Sequence, residues 1–264
     1  MNFETIIFEK SNSIGIVTLN RPKVFNALSS KLVREMTEVL DNIARDDEIN
    51  SVIITGSNGH FCCGADVKEM PVEVTDPQRR LWLCEVLDLF GKIEELEKPV
   101  VMSIDGYCLG GGLELAIAGD LRIASTNARF GSPEIMFGGI PAGGAPARLP
   151  RLIGVGKTKE MLYMGEQIDA EEAYRVGLVN KVVNPEALKN ETIRLARDLA
   201  DKSASALKLI KFCINLGIRM DHFSAIEVAH QIGPLVGTPE EIAAAKEKAA
   251  TKSKSYSKMF RKDR

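Results

Sequence analysis

The sequence predicts an α/β fold with largely parallel strands, followed by an all-helical tail. Three observations carry this expectation. Short β-branched and apolar runs recur between helical patterns, giving the strand, turn, helix order of α/β proteins. The inner runs at 51–55 and 100–104 are apolar almost throughout, as strands buried on both faces are. From Pro185 onward only helical patterns remain.

In chain order, residues 5–8 and 14–19 form two strands across a Ser11-Asn12-Ser13 turn. Asn20-Arg21-Pro22 ends the second, and Ser29 or Ser30 caps a helix with Leu32, Val33, Met36, Val39, Leu40 and Ile43 on one face. Residues 51–55 form a buried strand, and a loop runs from Gly56 to Ala65. A helix over 77–96 has Leu81, Cys84, Leu87, Leu89, Phe90 and Ile93 as its expected buried side, and Lys98-Pro99 stops it before the strand 100–104. A strand over 121–124 follows the Gly110-Gly111-Gly112 turn and its helix. Residues 140–148 read as a loop leading into a helix that begins near Arg148 or Leu149. Gly156-Lys157-Thr158 is not a phosphate loop, because the partner glycine position is Arg151, so 157–164 is plain helix. A short helix at 170–176, a strand at 179–183 and helices at 187–199, 205–216, 224–235 and 239–250 complete the chain. The expected division is a core over 1–201 and a helical subdomain over 202–264, with a solvated basic end from Lys252 to Arg264.

Composition narrows the function. A formal net charge of -2 provides no electrostatic footprint for nucleic acid or an anionic membrane surface. The five cysteines are irregularly spaced without a CxxC pair, and the three histidines do not cluster with them, so neither disulfides nor a metal site is expected. The first residues lack a basic start and an apolar h-region, and no apolar run approaches the ~18 residues of a bilayer span. The expectation is a cytoplasmic protein with no membrane partner.

Two acids stand in apolar, glycine-rich sequence. Glu114 lies among Leu113, Leu115, Ala116 and Ile117, directly after the triple glycine, and Glu134 lies in Gly131-Ser132-Pro133-Glu134-Ile135-Met136-Phe137-Gly138-Gly139. Burying a carboxyl is costly, so each calls for a reason. One reading is catalytic: desolvation raises a carboxyl pKa toward neutrality, and two such groups can share acid and base work. The glycine turn would then expose helix-N-terminal amides to a developing negative oxygen. The other reading is structural, with close helix packing at the glycines and a buried Glu paired to Arg122 or Arg129. Likewise Gly64 and Ala65 read either as an ordinary strand-to-helix turn or as a place where a ligand approaches the backbone.

Four ordered motifs resolve this by resemblance. Leu19-Asn20-Arg21-Pro22 with Asn26-Ala27-Leu28, then Gly64-Ala65-Asp66-Val67-Lys68-Glu69-Met70, then Asp105-Gly106-Tyr107-Cys108-Leu109-Gly110-Gly111-Gly112-Leu113-Glu114-Leu115-Ala116, then Ala128-Arg129-Phe130-Gly131-Ser132-Pro133-Glu134-Ile135 resemble the crotonase family, the enoyl-CoA hydratase/isomerase superfamily. The likeness runs from Ile14 to about Val183 and continues more weakly into the tail.

The resemblance implies a crotonase-like spiral of repeated ββα units with a C-terminal helical oligomerisation subdomain, assembling as homotrimers or paired into homohexamers. It assigns the two oxyanion-hole amides to Ala65 and Gly111 and the catalytic acids to Glu114 and Glu134. It assigns coenzyme A contacts to Lys23, Ala65, Asp66, Val67, Lys68 and Gly111. Coenzyme A is then part of an acyl-CoA thioester substrate, and no separate cofactor or metal is implied. Members with both acids hydrate 2-enoyl thioesters; those that only shift a double bond commonly keep the acid matching Glu134 and lose the one matching Glu114. The readings from the sequence are therefore a hydratase, an isomerase or a specialised member acting on a cyclic or branched acyl group, and a non-catalytic acyl-CoA binding protein. Two departures concern the acyl pocket. Ala142-Gly143 stands where many hydratases have Gly-Ala, and the tail pattern over 241–248 puts Ala245 where a phenylalanine is usual.

Overall fold

A computed structural model describes residues 3–69 and 77–237, with 242–243 and 246–247. Of the expected helix 239–250 only 242–243 and 246–247 are described, and the Ala245 position, Met70 and the basic end fall outside the described residues. Contacts divide the chain into two units, Met1–Asp201 and Lys202–Arg264.

The first unit is built on a six-stranded sheet. β1 (Ile6–Ser11) and β2 (Ile14–Leu19) form an antiparallel hairpin whose turn places Asn12 at φ 53, a left-handed conformation that Asn tolerates. β3 (Ser51–Gly56) and β4 (Val100–Ile104) then add in parallel. Beyond them β6 (Leu121–Ser125) and β9 (Lys181–Val183) extend the parallel run, giving the order β1-β2-β3-β4-β6-β9. The parallel character expected from the sequence is therefore present.

Alternation along these strands sends side chains to two apolar layers. Val17, Leu19, Val52, Ile54, Val100, Met102 and Ile104 enter the main core with α1 (Ser30–Arg45), α2 (Pro77–Glu95) and α3 (Gly111–Ala118). Ile14, Ile53, Val101 and Ile123 face α6 (Pro185–Ala200) on the other side. Burial on both faces is why β4 could be written without a polar alternation.

α1 begins where the sequence placed it, with Ser29 Oγ accepting the Leu32 N–H at 3.1 Å, and it buries the six expected residues. In α2 the buried stripe is Val86, Leu89, Phe90 and Ile93, whereas Leu81, Cys84 and Leu87 are exposed, contrary to the expectation. At roughly 100° per residue these three fall outside the stripe that the other four share.

The strands of a second sheet were not read from the residues, although the repeated ββα units implied by the resemblance call for a second strand in each unit. β5 (Tyr107–Leu109) and β7 (Arg129–Gly131) pair in parallel, and β8 (Gln167–Asp169) closes antiparallel on β7. β4-β5-α3 and β6-β7 with the 3-10 turn Pro133–Phe137 thus repeat one step: a strand of the large sheet, a short strand of the small one, then a helical turn. α4 (Ala145–Met164) starts earlier than expected, at Gly144 with φ 111, and a non-helical Gly154 divides it. α5 (Ala170–Arg175) leads to β9.

The second unit holds α7 (Ala204–Gly217) and α8 (His222–Ile232), which pack on each other and contain no buried residue among those described. Among the described residues, no helix is long and apolar enough to cross a membrane.

Candidate active site

The loops leaving the carboxyl ends of β3 and β4 meet, as expected for ligand sites in parallel sheets. The isolated parallel bridge of Cys62 with Cys108 holds them together, and a second, Leu28 with Ala65, ties the β3 loop to the segment between β2 and α1. In the first, Cys62 N–H donates to Tyr107 O at 2.8 Å and Leu109 N–H to Cys62 O at 2.9 Å. In the second, Leu28 N–H donates to Gly64 O at 2.8 Å and Asp66 N–H to Leu28 O at 2.9 Å.

The approach is close enough to dictate glycine. A methyl at Gly112 would stand 2.2 Å from the Cys62 carbonyl oxygen. Gly64, at φ 104, lies with its hypothetical methyl 3.3 Å from the Gly111 nitrogen, and a methyl on Gly111 would be 3.5 Å from the Ala65 nitrogen. The Ala65 and Gly111 amides therefore sit side by side, Gly111 being the first residue of α3. Among the described residues neither amide donates to another group.

The two acids lie near the start of α3, where Gly111 stands. Glu134 is in the 3-10 turn after β7, anchored by Gly110 N–H donating to Gly131 O at 2.9 Å. Its Oε2 accepts the buried Ser132 hydroxyl at 2.7 Å, while Oε1 is 3.0 Å from the position a methyl on Gly110 would take. Glu114, in the first turn of α3, is only 4% exposed. Its Oε1 accepts the Ala145 N–H at 3.0 Å, at the N-terminus of α4.

Burial pushes the Glu114 carboxyl up to about 7, and the nearby Glu134 charge adds to the rise; the Ala145 and Gly143 amides and Arg148 oppose it. The structural alternative, pairing to an arginine, is not what the protein does. Arg122 donates to the carbonyls of Leu178, Ala116 and Gly119, and Arg129 to those of Thr126 and Ala128.

Around the loops, Lys23 is exposed in the 3-10 turn Pro22–Val24, and Val67 (78% exposed) and Lys68 lie on the surface beside Ala65. Asp66, between Ala65 and Val67, has its side chain turned inward. Its carboxylate is buried, pairs with Arg21 at 2.8 Å and accepts the Lys68 N–H at 3.2 Å. Arg21 also donates to Ala27 O, so the side chain of Asp66 ties the two loops together, while its backbone N–H donates to Leu28 O and its carbonyl accepts the Glu69 N–H at 3.0 Å.

Residues 9–237 match the model of the enoyl-CoA hydratase/isomerase family. The chain belongs to the enoyl-CoA hydratase/isomerase family. A short-chain-enoyl-CoA hydratase of Clostridium acetobutylicum is 41% identical over 227 residues, covering 86% of this chain and 87% of that protein. A crotonyl-CoA hydratase of Syntrophomonas wolfei is 39% identical over 86% of this chain and 88% of its own length. Among solved structures, an enoyl-CoA hydratase from Bacillus anthracis superposes with a TM-score of 0.88 at 35% identity, covering 93% of this chain and 97% of that one.

The sequence singled out Glu114, Glu134 and the loops at Ala65 and Gly111, which the structure brings near one another, but missed what surrounds the two carboxylates. Ser132, Ala145, Gly143, Phe90 and Arg148 all touch the two carboxylates or the turn that holds Glu114. One signal was available: Pro146 suits the first turn of a helix, which places the N-terminus of α4 at Ala145 rather than at Arg148.

Proposed function

We propose that this chain is an enoyl-CoA hydratase, adding water reversibly across the α,β double bond of a 2-enoyl-CoA thioester to give a 3-hydroxyacyl-CoA. The observation that carries it is two carboxylates at the same glycine turn as the adjacent Ala65 and Gly111 amides: Glu134 beside Gly110, and Glu114 in the first turn of the helix that Gly111 begins. A thioester carbonyl set on these amides becomes enolate-like when oxygen adds at Cβ, and two preorganised N–H donors stabilise that charge. Ionised Glu114 removes a proton from water as its oxygen bonds Cβ. The proton reaches Cα through Glu134, and dehydration runs the same bonds in reverse. A Glu114 carboxyl near neutrality can hold or release that proton at physiological pH.

The coenzyme A moiety is read as lying along the Lys23 turn and the segment from Ala65 to Lys68, with exposed Lys23 and Lys68 beside its phosphates. The reading further takes the protein as a cytoplasmic homotrimer or homohexamer acting on fatty acyl thioesters. The names of the two relatives make crotonyl-CoA the first substrate to assay.

The experiment follows loss of the conjugated enoyl-thioester absorbance. Glu114→Gln and Glu134→Gln are each expected to lower kcat by about 100-fold or more. Conversion of a 3-enoyl-CoA to the conjugated 2-enoyl-CoA that survives in Glu114→Gln and is lost in Glu134→Gln, without hydration by the unmodified protein, would make it an isomerase. No turnover of short, medium, branched or aromatic enoyl-CoAs by the unmodified protein would overturn the reading.

A further inference from the structure

α2 reaches the Glu114 carboxylate by two routes one helical turn apart. Phe90 is fully buried, and its ring edge and Glu114 Oε2 both lie against the bare α-carbon of Gly143. A methyl there would stand 2.5 Å from Glu114 Oε2 and 2.7 Å from Phe90 Cε2. Four residues on, and so on the same helix face, Glu94 accepts from Arg148 Nε at 3.1 Å and Nη2 at 2.8 Å. The third nitrogen of that guanidinium, Nη1, donates to the Gly143 carbonyl at 2.9 Å. Gly144, at φ 111, makes room for it, since a methyl there would be 2.1 Å from Nη1. The turn whose amides face Glu114 is thus gripped from behind by a planar fork filled on both sides, a geometry lysine cannot reproduce.

We infer that Arg148, oriented by Glu94, is a positioning residue for Glu114: it fixes the Gly143 peptide so that the Gly143 and Ala145 amides aim the carboxylate at the reacting carbon. The inference rests on the reading of Glu114 as the group that activates water. The charged groups facing Glu114 are Glu134 from the 3-10 turn and Arg148 from α4, with Glu94 of α2 behind the latter.

The test measures kcat, KM and the pH dependence of kcat/KM for Arg148→Gln, Arg148→Lys and Glu94→Gln, and for Arg148→Gln combined with Glu114→Gln. Arg148→Gln is expected to lower kcat about 10- to 100-fold, with little change in KM. The acid limb of the profile should move to higher pH, because a positive charge and aligned amides that favour ionised Glu114 are lost. Arg148→Lys restores part of kcat, and Arg148→Gln adds little further loss once Glu114 is already Gln. A folded Arg148→Gln with unchanged kcat and an unmoved acid limb overturns the inference, as does an equal loss in both backgrounds. Should Arg148→Gln not fold, Glu94→Gln decides: it loosens the fork while keeping the guanidinium, and an unmoved kcat and acid limb there overturn the inference too. Full hydration by Glu114→Gln alone would instead overturn the reading of Glu114 as the group that activates water, and the inference with it.

Discussion

Glu114 is held between opposing forces, and its titration is where they can be measured. Burial and the Glu134 charge favour the neutral acid, while the helix-end amide of Ala145 favours the carboxylate, leaving the group at about 7. In the unfolded chain it titrates near the ordinary 4.5. The folded pKa is the higher one, so the native protein binds the proton more tightly. This contribution to stability is fully present below the unfolded value and is lost as pH rises through about 7. The cost of carrying the charge at pH 8 is then on the order of 3 kcal/mol. Glu114→Gln keeps an acceptor for the Ala145 amide and removes that cost. Urea melts should show the variant more stable than the unmodified protein at pH 8 and close to it at pH 5; an equal difference at both values would contradict the burial of this carboxyl. The same titration sets an acid limb in kcat/KM near pH 7, with activity falling as Glu114 takes up its proton.

At the scale of elements, the contact of the β3–α2 loop with the start of α3 is what brings Ala65 to Gly111. Gly112 tests it, because a methyl would meet the Cys62 carbonyl at 2.2 Å and the Cys62 β-carbon at 2.9 Å, and backbone must move. Gly112→Ala should destabilise the protein by about 1–3 kcal/mol and should lower kcat in the protein that remains folded, since the two amides part. Gly156→Ala is the matched control. Gly156 lies in the second half of α4 with nothing within 4 Å of the added methyl, so the change should raise stability by about 0.5–1 kcal/mol at unaltered kcat. Equal effects of the two substitutions would refute the close approach.

These elements also show what the sequence could and could not reveal. α1, β2 and β4 were legible because their signals are local: a capping serine, a 3.6-residue stripe, an unbroken apolar run. β5, β7 and β8 were not, since three residues carry no usable period and their partners lie far away in the chain. The acids could be picked out as costly in apolar sequence. The expectation that Ala65 and Gly111 face one substrate came only from family resemblance, because a backbone amide leaves no mark in residue identity. The Arg148 fork was invisible for a related reason: its partners are a carbonyl and a glutamate on another helix.

At the scale of the whole molecule, the second unit raises the question of what its apolar side chains are for. In α7, Ile210 and Ile214 are 55% and 59% exposed and one turn apart, and in α8 Phe223 and Ile226 are 81% and 55% exposed. Two helices with no buried residue among those described cannot supply a core of their own, and an apolar stripe of this kind marks an interaction surface. Under the proposed trimer or hexamer, that surface is covered by neighbouring copies of the chain. Light scattering should then give three or six times the 28.9 kDa chain mass at micromolar concentration. Ile210→Lys combined with Ile214→Lys should shift the protein toward the single-chain mass and make its melting temperature depend on concentration, as linkage between folding and assembly requires. An unmodified protein of 28.9 kDa in solution would overturn the assembly. An oligomer that tolerates both lysines would show that the copies meet through another surface.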